Sequence, residues 1–140
     1  MDQKTPEEHV SALLLGEYES DRLILQEVFK KLGWKLLEAR DRGRAMHHLE
    51  RNRVQVVITK TDIPNWNWRR VLSDLRELGK PPQLIVTSRT ADESLWAEVL
   101  NLGGYDVMTQ PFERYEVERV VASAQRYFDY HPLRMAAIPA

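Results

Sequence analysis

Small and polar residues directly follow four apolar runs of the chain, where they could do chemistry. These residues are Gly16 with Glu17, Lys60 with Asp62, Thr87 with Ser88, and Gln110 with Pro111. Carboxylates can hold a divalent cation, and a lysine amine with a lowered pKa can form a Schiff base. No second acid–base group accompanies Lys60 in the way that such catalysis requires, so a structural lysine is favoured.

The apolar runs have the length of strands, and the segments between them have helical spacing. The runs cover residues 10–15, 34–39, 54–59, 83–87 and 105–108. Between the first two runs, apolar residues recur at i, i+3, i+4 and i+7, as in Leu25, Val28, Phe29 and Leu32. Alternation of nearly all-apolar strands with helices predicts an α/β fold, a doubly wound five-stranded parallel sheet with helices on both faces.

Turn and capping residues support these boundaries. Gly33, Gly79 and Gly103 each closely follow a helical segment and are predicted to end it in a left-handed conformation. Thr90 followed by Glu93 has capping-box spacing. Since the carboxyl ends of parallel strands meet at one edge, the polar residues after the strands are expected to line a common crevice.

Length and composition limit the classes of function. The 140 residues suit one domain, predicted at 1–130 with a tail at 131–140. Twenty basic and 21 acidic residues argue against a nucleic-acid partner, and the lack of cysteine excludes disulfides and thiolate metal sites. No apolar run reaches the roughly 18 residues of a membrane span. We therefore expect no membrane contact and a cytoplasmic location.

With these elements placed, the sequence resembles the receiver domains of two-component response regulators over roughly residues 11–130. The carrying segments are LLLGEYESDR, VVITKTDIP, LIVTS and LGGYDVMTQPF. They have the spacing of the family's acidic turn, phosphorylation loop, hydroxyl residue and lysine-proline turn. The resemblance implies the flavodoxin-like strand order 2-1-3-4-5 with right-handed crossovers, and a cis bond between Gln110 and Pro111.

The sequence departs from the family at the residues that carry its phosphorylation chemistry. Lys60 occupies the phosphoacceptor position, Gly16 and Glu17 replace the acidic pair that helps to hold magnesium, and Gln110 replaces the lysine. Thr87 is retained. We therefore predict a degenerate pocket without metal, cofactor or catalytic residue, in which Glu17 and Lys60 approach each other directly or through one water.

The leading hypothesis is a pseudo-receiver in signal transduction that is no enzyme and binds a protein partner or a second copy of itself. The resemblance places the binding surface on the fourth helix, fifth strand and fifth helix. Candidate interface residues are Trp66, Trp96, Asp106, Tyr115 and Arg119. Two alternatives stay open: a phosphorelay receiver with an unexpected acceptor such as Asp62, or a small ligand-binding protein or enzyme on the same fold.

Overall fold

The computed structural model describes residues 10–130, so the tail predicted at 131–140 lies outside the described residues. Five strands form a parallel sheet, and two short ones form a separate antiparallel ribbon. The sheet strands are β1 (Ser11–Leu15), β2 (Lys35–Ala39), β3 (Val56–Lys60), β6 (Gln83–Ser88) and β7 (Asp106–Thr109), and the ribbon strands are β4 (Asp62–Ile63) and β5 (Trp66–Asn67). The sheet order β2-β1-β3-β6-β7 confirms the predicted order 2-1-3-4-5, because the ribbon takes two numbers.

Five helices cover the two faces of the sheet. They are α1 (Glu19–Leu32), α2 (Arg42–Arg51), α3 (Trp68–Arg76), α4 (Glu93–Leu102) and α5 (Arg114–Tyr130). Helices α1 and α5 pack on one face through residues such as Phe29 and Val121. Helices α2, α3 and α4 pack on the other through Ala45, Leu75 and Val99. None of the described helices is long and apolar enough to cross a membrane.

The predicted helix ends are partly confirmed. Gly33 and Gly103 end α1 and α4 in the left-handed conformation, with φ of 72° and 104°. Gly79 does not have this role, because α3 ends at Arg76 and its C-cap residue Glu77 has a right-handed helical backbone conformation. The capping box at Thr90 is also wrong: Asp92 caps α4, and its carboxylate accepts a hydrogen bond from the Leu95 amide at 2.9 Å.

The loop between β3 and α3 folds into the β4–β5 ribbon and buries a tryptophan. Asn65, at the tip, adopts a left-handed φ of 62°. Trp66, which we predicted as an interface residue, is only 3% exposed, so that prediction is wrong. The ring is buried because its indole Nε1 donates a 2.7 Å hydrogen bond to Asp74 of α3, which satisfies its polar atom within the fold.

Asp74 joins three elements of this face. Besides the ribbon indole, its carboxylate accepts a 2.9 Å hydrogen bond from Arg42 Nε at the start of α2. Burial acts to raise the pKa of Asp74, but the hydrogen bonds from Arg42 and Trp66 and the charge of Arg70 outweigh it and hold this pKa below its ordinary value. The ionised carboxylate therefore stabilises the contact of α2, α3 and the ribbon.

We expect Asp74→Ala to lower the free energy of unfolding by about 1–3 kcal/mol, since it leaves a buried indole N–H without an acceptor. Because the pKa is lowered on folding, the stabilisation is present above the unfolded pKa of about 4 and is lost as pH falls through the folded pKa. Urea denaturation between neutral and acidic pH measures both effects. Glu77→Ala, an exposed change at the end of the same helix, should cost less than about 0.5 kcal/mol. Equal losses for the two variants would contradict the assignment.

Candidate functional site

The carboxyl ends of the strands form a polar cleft of about 480 Å3. Its lining residues are Glu17, Tyr18, Glu19, Lys60, Thr61, Asp62, Thr87, Ser88, Arg89 and Gln110. The structure thus brings together the predicted residues Glu17, Lys60, Asp62, Thr87 and Gln110. Tyr18 and Arg89 also line the cleft and were not predicted as site residues.

Gly16 lies directly beside the stem of Lys60. It has a φ of 106°, which L-side chains rarely adopt, and its amide donates a 3.0 Å hydrogen bond to the Ala39 carbonyl. A Cβ atom at Gly16 would lie 3.2 Å from Lys60 Cδ. The lysine side chain therefore takes up space that a side chain at position 16 would need.

The ammonium group of Lys60 lies against an aromatic ring. Its Nζ is 5.2 Å from the centroid of the Tyr18 ring, within the range of a cation–π contact. Among residues 10–130 it forms no ion pair with a carboxylate. The exposed Glu17 instead places its Oε2 atom 3.9 Å from Nη1 of Arg40. The prediction of a direct pair between Glu17 and Lys60 is therefore wrong.

Tyr18 and Thr87 form a buried hydrogen bond at the centre of the site. The two hydroxyl oxygens are 2.8 Å apart, and both residues are almost fully buried. Thr87 Oγ1 donates to the Thr59 carbonyl at 3.3 Å, which leaves the Tyr18 hydroxyl as the donor between them. Burial raises the pKa of Tyr18 above its ordinary value, although the Thr87 hydrogen bond acts in the opposite direction. The phenol is therefore neutral at physiological pH.

Asp21 is a buried carboxylate that sequence reasoning missed. It is 2% exposed and accepts hydrogen bonds from Gln110 Nε2 at 2.9 Å and the Phe112 amide at 3.1 Å, with an Arg89 nitrogen 3.7 Å away. The peptide bond before Pro111 is cis, which confirms that prediction. One signal was present in the sequence: Asp21 lies four residues before Leu25 and seven before Val28, on the buried stripe of α1.

The residues of the cleft do not fit a magnesium ion. Magnesium prefers several oxygen ligands in near-octahedral geometry, usually including carboxylates. Gly16 supplies no side-chain ligand, the ammonium of Lys60 would repel a cation, and Asp21 is engaged by Gln110 and Phe112. Among the described residues there is no group of three or more histidine, cysteine, aspartate or glutamate side chains suited to a metal ion.

A five-stranded parallel sheet with helices on both faces and polar residues at the strand ends defines a flavodoxin-like α/β domain. The family model of the response regulator receiver domain matches residues 16–122. The chain therefore belongs to the response regulator receiver domain family. No curated protein matches the sequence.

Solved structures with a similar fold include several receiver domains. The signal receiver domain of an HD domain-containing protein from Pseudomonas fluorescens Pf-5 is 22% identical with a TM-score of 0.75, covering 87% of this chain and 98% of that one. The receiver domain of the Francisella response regulator 1452 is 20% identical with a TM-score of 0.71, covering 84% and 97%. At these identities the likeness is one of fold.

A third similar structure contains a partner protein. It is the receiver domain of the Saccharomyces cerevisiae response regulator Ssk1, crystallised with the histidine phosphotransfer signalling protein Ypd1. This match is 11% identical with a TM-score of 0.73 and covers 85% of this chain and 90% of that one.

We expect a double-mutant cycle of Tyr18→Phe and Thr87→Val to give a coupling free energy of about 0.5–1.5 kcal/mol. Thr87→Val alone should be the costlier single change, because it leaves a buried tyrosine hydroxyl without an acceptor. Chemical denaturation of the four proteins measures the cycle. A coupling energy of zero would show that the two hydroxyls do not bond in solution.

Proposed function

We propose that this receiver-family domain is a pseudo-receiver: it is not phosphorylated at the usual position, is not an enzyme, and signals in the cytoplasm through protein–protein contacts. The observation that carries this proposal is the position of Lys60. Lys60 is the last residue of β3, and its amine lies against Tyr18, at the position where the family has the acceptor carboxylate. An amine cannot form the acyl phosphate that the family uses.

The surrounding residues support the same proposal. Phosphoryl transfer depends on positioning and on stabilisation of negative charge. In the family, a lysine before the cis proline contributes to that stabilisation, and here the corresponding Gln110 is neutral and bonded to Asp21. Thr87, the retained hydroxyl residue, bonds to Tyr18 and the Thr59 carbonyl.

Asp62 is the acceptor in the alternative phosphorelay hypothesis. It lines the cleft and is exposed, so a phosphodonor could reach it. Its backbone pairs with Asn67 in the ribbon, two residues beyond the end of β3. A carboxylate two residues beyond the acceptor position supports the pseudo-receiver proposal over this alternative.

We expect incubation with acetyl phosphate and magnesium to leave the mass of the intact protein unchanged. The physical reason is that no carboxylate occupies the acceptor position. Intact-protein mass spectrometry checks this result, and Asp62→Asn is the matched variant. A phosphoryl adduct on the wild type that Asp62→Asn abolishes would replace the pseudo-receiver proposal with the phosphorelay alternative.

The proposed contact surface is the α4–α5 face, made by Trp96, Leu100, Asp106, Tyr115 and Arg119. The three large side chains Trp96, Leu100 and Tyr115 are 38%, 49% and 71% exposed. Trp96 and Leu100 are four residues apart and share one side of α4. Exposed aromatic side chains beside charged groups are typical of contact hot spots.

The charged residues of the α4–α5 face add polarity to it. Partial burial raises the pKa of Asp106, against which its hydrogen bond with the Val107 amide and the charge of Arg119 act. The likeness to a receiver domain crystallised with another signalling protein supports a protein as the partner. We propose a second copy of the chain as one such partner, since most soluble homo-oligomers are symmetric and reuse one surface.

We expect the wild type to self-associate in sedimentation-velocity experiments, and Trp96→Glu combined with Leu100→Glu to be monomeric. Charges in an apolar contact are costly because they lose water without gaining a partner. Leu23→Glu is the control, since Leu23 is an exposed leucine of α1, 56% exposed, and does not belong to the α4–α5 face. A monomeric wild type, or an equal effect of Leu23→Glu, would contradict the proposed surface.

A further inference from the structure

Charge is distributed unevenly across the molecule. Residues 40–53 contain five arginines and two acidic residues, whereas residues 89–130 contain four basic and eight acidic residues. Helix α2 packs on β2 at one edge of the sheet, and α4 packs on β7 at the other. Positive and negative charge therefore concentrate at opposite edges.

The outward side of α2 carries exposed basic side chains. Arg44, His47 and Arg51 are exposed and follow the spacing i, i+3 and i+7, so they lie on one side of the helix, and Ala45 faces the core. We call these three residues the α2 arginine face. Arg44 and Arg51 lie about 10 Å apart along the helix axis, at 1.5 Å per residue.

The two guanidinium groups of this face are not neutralised within the fold. Neither Arg44 nor Arg51 has an ion pair with a carboxylate of residues 10–130. Arg51 Nε instead donates a 3.4 Å hydrogen bond to His47 Nδ1. Asp41, three residues before Arg44, caps the helix by accepting from the Arg44 amide. Glu50, next to Arg51, forms no ion pair among residues 10–130.

Neighbouring residues extend the positive surface. Arg42 and Arg70 both lower the pKa of Asp74. Two positive side chains therefore lie near one carboxylate, and one positive charge is in excess. Arg40 has only a 3.9 Å contact with Glu17, and both side chains are largely exposed. No large apolar residue of α2 is exposed.

We propose that the α2 arginine face docks an acidic segment of a partner protein. Guanidinium groups bind carboxylates in planar, two-pronged geometry and are weakly hydrated, which makes arginine well suited to such contacts. Because the face lacks exposed apolar side chains, the contact is electrostatic and weakens with salt. Arg44 borders the cleft, since it lines a pocket together with Glu17 and Tyr18, but the α2 arginine face shares no residue with the cleft lining or the α4–α5 face. The proposal therefore does not depend on the proposed function.

The chain's charge favours an acidic protein segment over nucleic acid. Nucleic-acid binding proteins usually carry an extended basic field that neutralises many phosphates. Here the excess of basic over acidic residues lies in residues 40–53, and residues 89–130 at the opposite edge of the sheet have an excess of acidic ones. A short acidic peptide matches the two free guanidinium groups of α2 without reaching that edge.

The test uses fluorescence anisotropy of a labelled oligoglutamate peptide with the intact chain at low ionic strength. We expect saturable binding that weakens as salt is added, and no binding of an oligoglutamine peptide of the same length. Arg44→Glu with Arg51→Glu should reduce the affinity by about tenfold or more, because two attractions become repulsions. Arg44→Gln with Arg51→Gln should give a smaller loss and serves if the charge-reversed protein fails to fold.

Lys30→Glu with Lys31→Glu is the control, since these exposed lysines in the last turn of α1, on the other face of the sheet from α2, give the same charge change. This control should change the affinity for the peptide by less than about twofold, because salt screens exposed charges that lie away from the α2 arginine face. Equal losses in the two charge-reversed variants, or no saturable binding by the wild type, would overturn the proposal. Tighter binding of a DNA oligonucleotide of equal charge would also overturn it, in favour of a nucleic-acid surface.

Discussion

The buried carboxylate of Asp21 links the elements that meet at the carboxyl edge of the sheet. It accepts hydrogen bonds from Gln110 and the Phe112 amide, and thereby attaches the β7–α5 loop to α1. The ring of Phe112 lies 5.8 Å from that of Tyr18, whose hydroxyl bonds to Thr87 of β6. Since an unpaired buried carboxylate is very unfavourable, the loop must keep this conformation for the core to close.

The same contacts satisfy the polar groups of the cleft from within the chain. In the family, the corresponding pocket gathers three carboxylates and one lysine and needs a cation to balance them. Here hydroxyl, amide and aromatic groups of the chain contact the side chains of this edge in place of a cation. Among residues 10–130, Ser11 Oγ is the only buried side-chain polar atom without a hydrogen-bond partner. The buried polar side chains at this edge therefore have hydrogen-bond partners within the chain.

Local sequence signals predicted the sheet correctly. They failed for side chains whose position depends on contacts with residues far away in the sequence. Apolar runs and helical stripes gave the five strands and their helices, because burial on both faces leaves a periodic pattern. The burial of Trp66 depends on its hydrogen bond to Asp74, which lies on α3. The pairing of Glu17 with Arg40 depends on the contact between the turn after β1 and the turn after β2. Asp21 was missed because an acidic residue in a first helical turn is usually a solvated one.

The contact between Gly16 and Lys60 sets an order on the substitutions that could change this site. An aspartate at position 16 would bring a Cβ within 3.2 Å of the lysine stem and would need a φ near 106°, so it is unfavourable while Lys60 is present. Replacing Lys60 first removes the steric conflict but leaves the backbone strain. The stability of a variant with an aspartate at position 16 therefore depends on which residue occupies position 60.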